Sequence, residues 1–234
     1  MNRAIAVFKK QQKDTLKNKT ILLQFVLFPV IAFFFTEFVA KTSPGIPNAY
    51  FVTLFSSMYA GMVPLVTMAN IIAEETQAKS LRILIMSNVK PYEYLLGVGG
   101  HIVLLCTVGT VALGLIGGFT GGELIRFIVS MLMGIIASLL LGSAIGIYAK
   151  NQGAATAMAT PISMITAFVP MVGLFNDSFA AVAKILYTQQ ISNLLNDLSA
   201  SNFEPGRFLI IGANIIVFAM IFIFVYMKKG LREA

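Results

Sequence analysis

The chain has no tryptophan, a single cysteine and a single histidine, and only 12% of its residues are charged. Each shortage excludes something. One cysteine, Cys106, cannot form a disulfide within the chain, and its apolar neighbours suit a small buried hydrophobe. One histidine, His101, is too few for a zinc site or a His-dependent hydrolase, which need further ligands or a partner base. It reads as a structural or interfacial side chain, and no metal is expected. No G-x-x-x-x-G-K-[ST] run occurs, so the polypeptide has no phosphate loop with which to bind ATP. A chain 57% hydrophobic, with mean hydropathy +0.83, is no ordinary soluble domain. What remains is an all-α integral membrane protein.

Apolar runs cover 21–40, 50–73, 94–119, 124–149, 154–175 and 208–227. Each reaches the ~20 residues that a helix needs to cross a bilayer. Six spans place both termini on one side. With that side inside, thirteen of the seventeen Lys and Arg residues are cytoplasmic, leaving Lys41, Arg126, Lys184 and Arg207 outside. Cation bias orients membrane proteins, so both termini are expected in the cytoplasm, and the bacterial cytoplasmic membrane is the expected location. Cations flanking spans also favour lipid over nucleic acid as partner. The connections are short, which predicts a single membrane domain over 1–234.

Residues 1–19 read as an amphipathic helix lying in the headgroup plane. Met1, Ala4, Ile5, Phe8 and Leu16 gather on one side, opposite Arg3, Lys9, Lys10, Lys13 and Lys17. Between spans five and six, 176–206 keeps helical apolar spacing at Phe179, Val182, Ile185 and Leu186, and again at Ile191, Leu194, Leu195 and Leu198. Two short outer helices are predicted there. Gly134, Ser138, Gly142 and Gly146 fall at four-residue intervals in span four, and Thr110, Gly114 and Gly118 in span three. Small residues so spaced let backbones approach closely. They suit packing within one bundle better than a seam between copies.

The longest polar interruption on the cytoplasmic side is 71–97. Glu74 and Glu75 are followed by Leu81, Leu84 and Ile85 at helical spacing, then by Ser87, Asn88 and the pair Lys90-Pro91. The pattern predicts a short amphipathic helix whose apolar face needs a partner, lipid or protein. Glu75, Leu81, Leu84, Ser87 and Gly97 follow a pattern that resembles the permease subunits of type-2 ABC exporters, with Lys79-Ser80, Asn88 and Val98 departing from it. The six-span layout resembles that family over nearly the whole chain. The resemblance implies that 74–91 is a coupling segment, in which Glu74, Glu75, Leu81, Leu84, Ile85 and Ser87 engage a separate ABC ATPase present in two copies. It also implies a second permease, identical or paralogous, with ATP and magnesium on the ATPase and no cofactor in this chain.

Span two carries Ser56, Tyr59, Thr67, Asn70 and Glu74 on one side of a helical projection, with Pro64 among them and Met58, Met62 and Met68 nearby. A polar stripe in a membrane helix faces protein or a watery path. Span five adds Thr156, Thr160, Ser163 and Thr166 around Pro161. In the related permeases these two spans line the translocation route, so Ser56, Tyr59, Thr67, Asn70, Thr156, Thr160 and Ser163 are the expected pathway residues. The reading is an ATP-driven permease that exports an amphiphile such as a peptide, drug or lipid by alternating access. Two alternatives stand beside it. An ion-coupled secondary transporter needs buried acidic residues, or an ion site made of backbone carbonyls. An intramembrane protease of the CAAX-processing type would use Glu74-Glu75, but Arg82 lies at the wrong interval and the histidine motifs are missing.

Overall fold

The computed structural model describes residues 2–43, 45–78, 91–173, 181, 183–198, 204 and 206–233. Among them the only regular secondary structure is helical. Helix α1 covers Asn2–Lys17, and α2 covers Lys19–Phe35 before continuing as a π-helical turn over Thr36–Ala40. Then come α3 (Tyr50–Gln77), α4 (Pro91–Ile116), α5 (Gly121–Tyr148), α6 (Gln152–Gly173), the short α7 (Tyr187–Asn196) and α8 (Gly206–Glu233). Six helices are long and apolar enough to cross a membrane: Ile21–Ala40, Tyr50–Gln77, Tyr92–Ile116, Gly121–Tyr148, Gln152–Gly173 and Gly206–Lys228. They fall on the six expected runs. The second extends past its last apolar residue, because Glu74, Glu75 and Thr76 continue a helix without being hydrophobic.

Local chemistry sets the boundaries. Asn18 separates α1 from α2, and its Oδ1 accepts the Ile21 N–H at 3.3 Å. Asn151 caps α6 by accepting the Ala154 N–H at 2.8 Å, as short polar side chains do at helix starts. The tight connection from α4 to α5 turns on Gly118 (φ 74°) and Gly121 (φ 53°). That left-handed backbone is costly for any residue with a Cβ. We call the end of the bundle that carries α1 the terminal end, and the end that carries this turn the far end.

Helix α3 is the axis of the molecule. Of its most apolar stretch 72% is buried within the protein, against 6% for α8. The glycines of α5 explain the closest contact. A Cβ on Gly142 would lie 2.3 Å from the Leu65 carbonyl oxygen, and one on Gly146 would lie 2.7 Å from that of Ala69. At Gly134 it would meet Ile191 of α7 at 2.0 Å. The four-residue stripe is thus used within this chain, and at Gly142 and Gly146 it brings main chain against main chain.

Helix α7 corresponds to the second expected outer helix. It inserts among α3, α5, α6 and α8, burying Tyr187, Ile191, Leu194 and Leu195. Most of the first expected outer helix lies outside the described residues. Helix α1 packs on α4 and α2, but not through the most apolar side expected of it. Val7, Gln11 and Thr15 are buried, while Ile5 is 46% and Leu16 61% exposed. The reason is steric. Gly97 leaves room for Val7, whose side chain lies 2.7 Å from where a Cβ would stand.

Candidate functional site

Glu75 lies in the last turn of α3, which ends at Gln77. Its side chain is turned inward and the residue is only 6% exposed. Oε1 accepts hydrogen bonds from Lys10 Nζ at 2.6 Å and from Gln11 Nε2 at 2.6 Å, both on α1. The buried Tyr94 side chain of α4 lies beside it. A buried charge is tolerable only when paired and hydrogen-bonded, and α1 supplies both requirements.

A second contact reinforces the first. His101 of α4 is buried, with Nε2 2.9 Å from Thr15 Oγ1 and the Phe8 ring edge-on at 5.8 Å. It has the structural role expected of it, as a rivet between α1 and α4. A cavity of about 210 Å³ lies between α1 and the end of α3, lined in part by Lys10, Asp14, Asn18, Glu74 and Glu75. Glu74 itself is exposed. Leu81, Leu84, Ile85 and Ser87 lie outside the described residues.

The polar residues of α3 do not form one continuous lining. Ser56 and Tyr59 are fully buried. Tyr59 packs edge-on against Phe28 of α2 at 5.9 Å and fills the space over Gly109 of α4. Thr67, buried as well, donates to Gln24 Oε1 of α2 at 3.3 Å. Asn70 turns the other way and is half-buried; its Oδ1 accepts a 2.8 Å hydrogen bond from the exposed Thr156 of α6. Thr160 is half-buried and Ser163 buried. The structure therefore joins Asn70 to Thr156 and sends Thr67 to a different neighbour. Met62, Val66, Asn70 and Glu74, spaced four apart, are left partly or fully open, as are Thr76 and Gln77 in the last turn, while the other α3 residues from Met62 to Gln77 are buried.

Sequence reasoning missed Lys10, Gln11 and Thr15 as partners of the α3 and α4 ends. Their signal was only a polar interruption on the α1 face that Val7 begins.

Six spans, of which α2, α4, α5 and α6 pack on the buried α3, make a multi-pass membrane protein. A family model described as ABC-2 family transporter protein matches residues 36–227, from the π-helical turn to near the end of α8. The chain belongs to that family, whose members are membrane subunits of transporters and in general imply an ABC ATPase as partner. No curated protein matches the chain.

Proposed function

We propose that the chain is the permease half of an ATP-driven exporter, acting as a pair of identical or paralogous permeases with two ATPase subunits. The observation that carries the reading is Glu75. It fastens α3, the most buried of the six spans, to α1 at the start of the coupling segment 74–91. Force applied to that segment reaches the axis of the bundle through a few residues. In this reading the terminal end is cytoplasmic, α1 rests its open apolar side in the headgroups, and Leu81, Leu84, Ile85 and Ser87 dock on the ATPase beside Glu74 and Glu75. ATP and magnesium belong to the partner.

The substrate route runs along the open ridge of α3, past Met62, Val66 and Asn70 and the facing Thr156 and Thr160. Ser56, Tyr59, Thr67 and Ser163 join it when α2 and α6 part from α3, as alternating access requires. An apolar ridge interrupted by an amide and hydroxyls suits an amphiphile.

The test is coupling. In an assembled complex, Leu81→Ser with Leu84→Ser should weaken retention of the ATPase and abolish stimulation of its hydrolysis by substrate. Full substrate-stimulated hydrolysis in that double variant would refute the coupling role.

A further inference from the structure

Pro64 lies inside α3. A proline has no N–H to give, and its ring presses on the carbonyl four residues back, which here belongs to Ala60. That carbonyl is not left bare. Ser138 of α5 donates to it at 2.5 Å, and the Ser138 oxygen lies 2.6 Å from the Tyr187 hydroxyl of α7. Ser138 has one proton and gives it to Ala60, so Tyr187 donates to Ser138. The next carbonyl, that of Gly61, accepts from Thr166 of α6 at 3.0 Å, and Tyr187 lies beside Thr166 as well. Three hydroxyls from three helices thus meet at the loosened turn of α3, and all are buried.

The two arms of α3 are held differently on either side of this turn. Residues 65–77 are held by main chain, with Leu65 and Ala69 against Gly142 and Gly146. Residues 50–60 include Phe51 and Phe55, which meet Phe35 of α2 through side chains alone, at 5.2 and 5.4 Å between ring centres. We infer that Pro64 is a hinge about which the far-end arm of α3 swings, and that Ser138 and Tyr187 are positioning residues that latch it in the arrangement seen here. Bending changes the distance between the Ala60 carbonyl and α5, and the latch resists that change. The short helix α7 thereby sets the angle of the central span at the far end. The inference concerns the permease alone and stands apart from the identity of its ATPase or substrate.

The experiment uses the full chain in nanodiscs. Spin labels at Tyr50→Cys and Ile125→Cys, both exposed, report the far-end arm of α3 against α5. Labels at Gln77→Cys and Tyr148→Cys report the clamped arm. The buried Cys106 is changed to alanine. Ser138→Ala and Tyr187→Phe should each shift or broaden the Tyr50–Ile125 distance by several ångström, roughly what a 20° bend gives over an arm of ten residues at ~1.5 Å each, while Gln77–Tyr148 stays put.

A stability cycle isolates the cause. Pro64→Ala restores an N–H for the Ala60 carbonyl, so Ser138→Ala, expected to lower the melting midpoint by about 3 °C, should lose most of that effect in the Pro64→Ala background. An undiminished loss there, or an unchanged Tyr50–Ile125 distance in both latch variants, overturns the inference.

Discussion

At the scale of single residues, the close approach of α3 and α5 depends on the absence of two methyl groups. A Cβ at Gly142 meets a backbone carbonyl, which cannot swing aside as a side chain can. Gly142→Ala should therefore cost about 1–3 kcal/mol, the usual range for overpacking a filled interior. Gly212 of α8, with nothing within 4 Å of its Cβ direction, gives the contrast. There alanine should be neutral or stabilising by about 0.5–1 kcal/mol, since glycine is a poor helix residue. Thermal melting of the two variants checks both signs. The four-residue spacing of the α5 glycines is plain in the sequence and points to packing within the chain. The sequence could not announce the partners of Glu75. Lys10 and Gln11 are 65 and 64 residues away, and nothing in local spacing marks two residues so distant as neighbours.

At the scale of elements, α1 is fixed to the bundle by polar contacts and by Val7, and the Lys10–Glu75 pair can be weighed. The Lys10 side chain is 43% exposed and that of Glu75 only 8%, so the pair lies between a surface bridge and a buried one. A double-mutant cycle with Lys10→Met and Glu75→Gln should give a coupling of about 1 kcal/mol, smaller at high salt because the lysine end is screened. A coupling near zero would mean that the carboxylate is held by its neutral neighbours, Gln11 and Tyr94 among them, and not by Lys10. The spans were legible because twenty apolar residues in a row leave few other solutions. Helix α7 was legible through the spacing of Ile191, Leu194 and Leu195. The packed side of α1 was not, because shape at Gly97 decided it and hydrophobicity did not. The stripe on α3 was only half legible: a helical projection treats the helix as straight, whereas neighbours on different sides of α3 took Thr67 and Asn70.

For the whole molecule, the cation count makes a prediction that the bundle turns into chemistry. Ser43 follows the π-helical turn at the far end, and Gln77 closes α3 at the terminal end. In intact cells, Ser43→Cys should react with an impermeant thiol reagent and Gln77→Cys only after the membrane is opened. Equal labelling of both would remove the proposed orientation. The α3–α5 seam has a larger consequence. The α5 face there is bare main chain at Gly142 and Gly146, against the carbonyls of Leu65 and Ala69 and the Ile72 side chain of α3, so α5 has no rotamer there that can give way when the two helices press together. In the proposed transport cycle, residues 65–77 of α3 and the part of α5 around Gly142 and Gly146 would therefore move together. In that cycle a push delivered at Gln77 would be carried to α5 as well as along α3, and the left-handed glycines of the Gly118–Gly121 turn would be the place where α5 can pivot on α4.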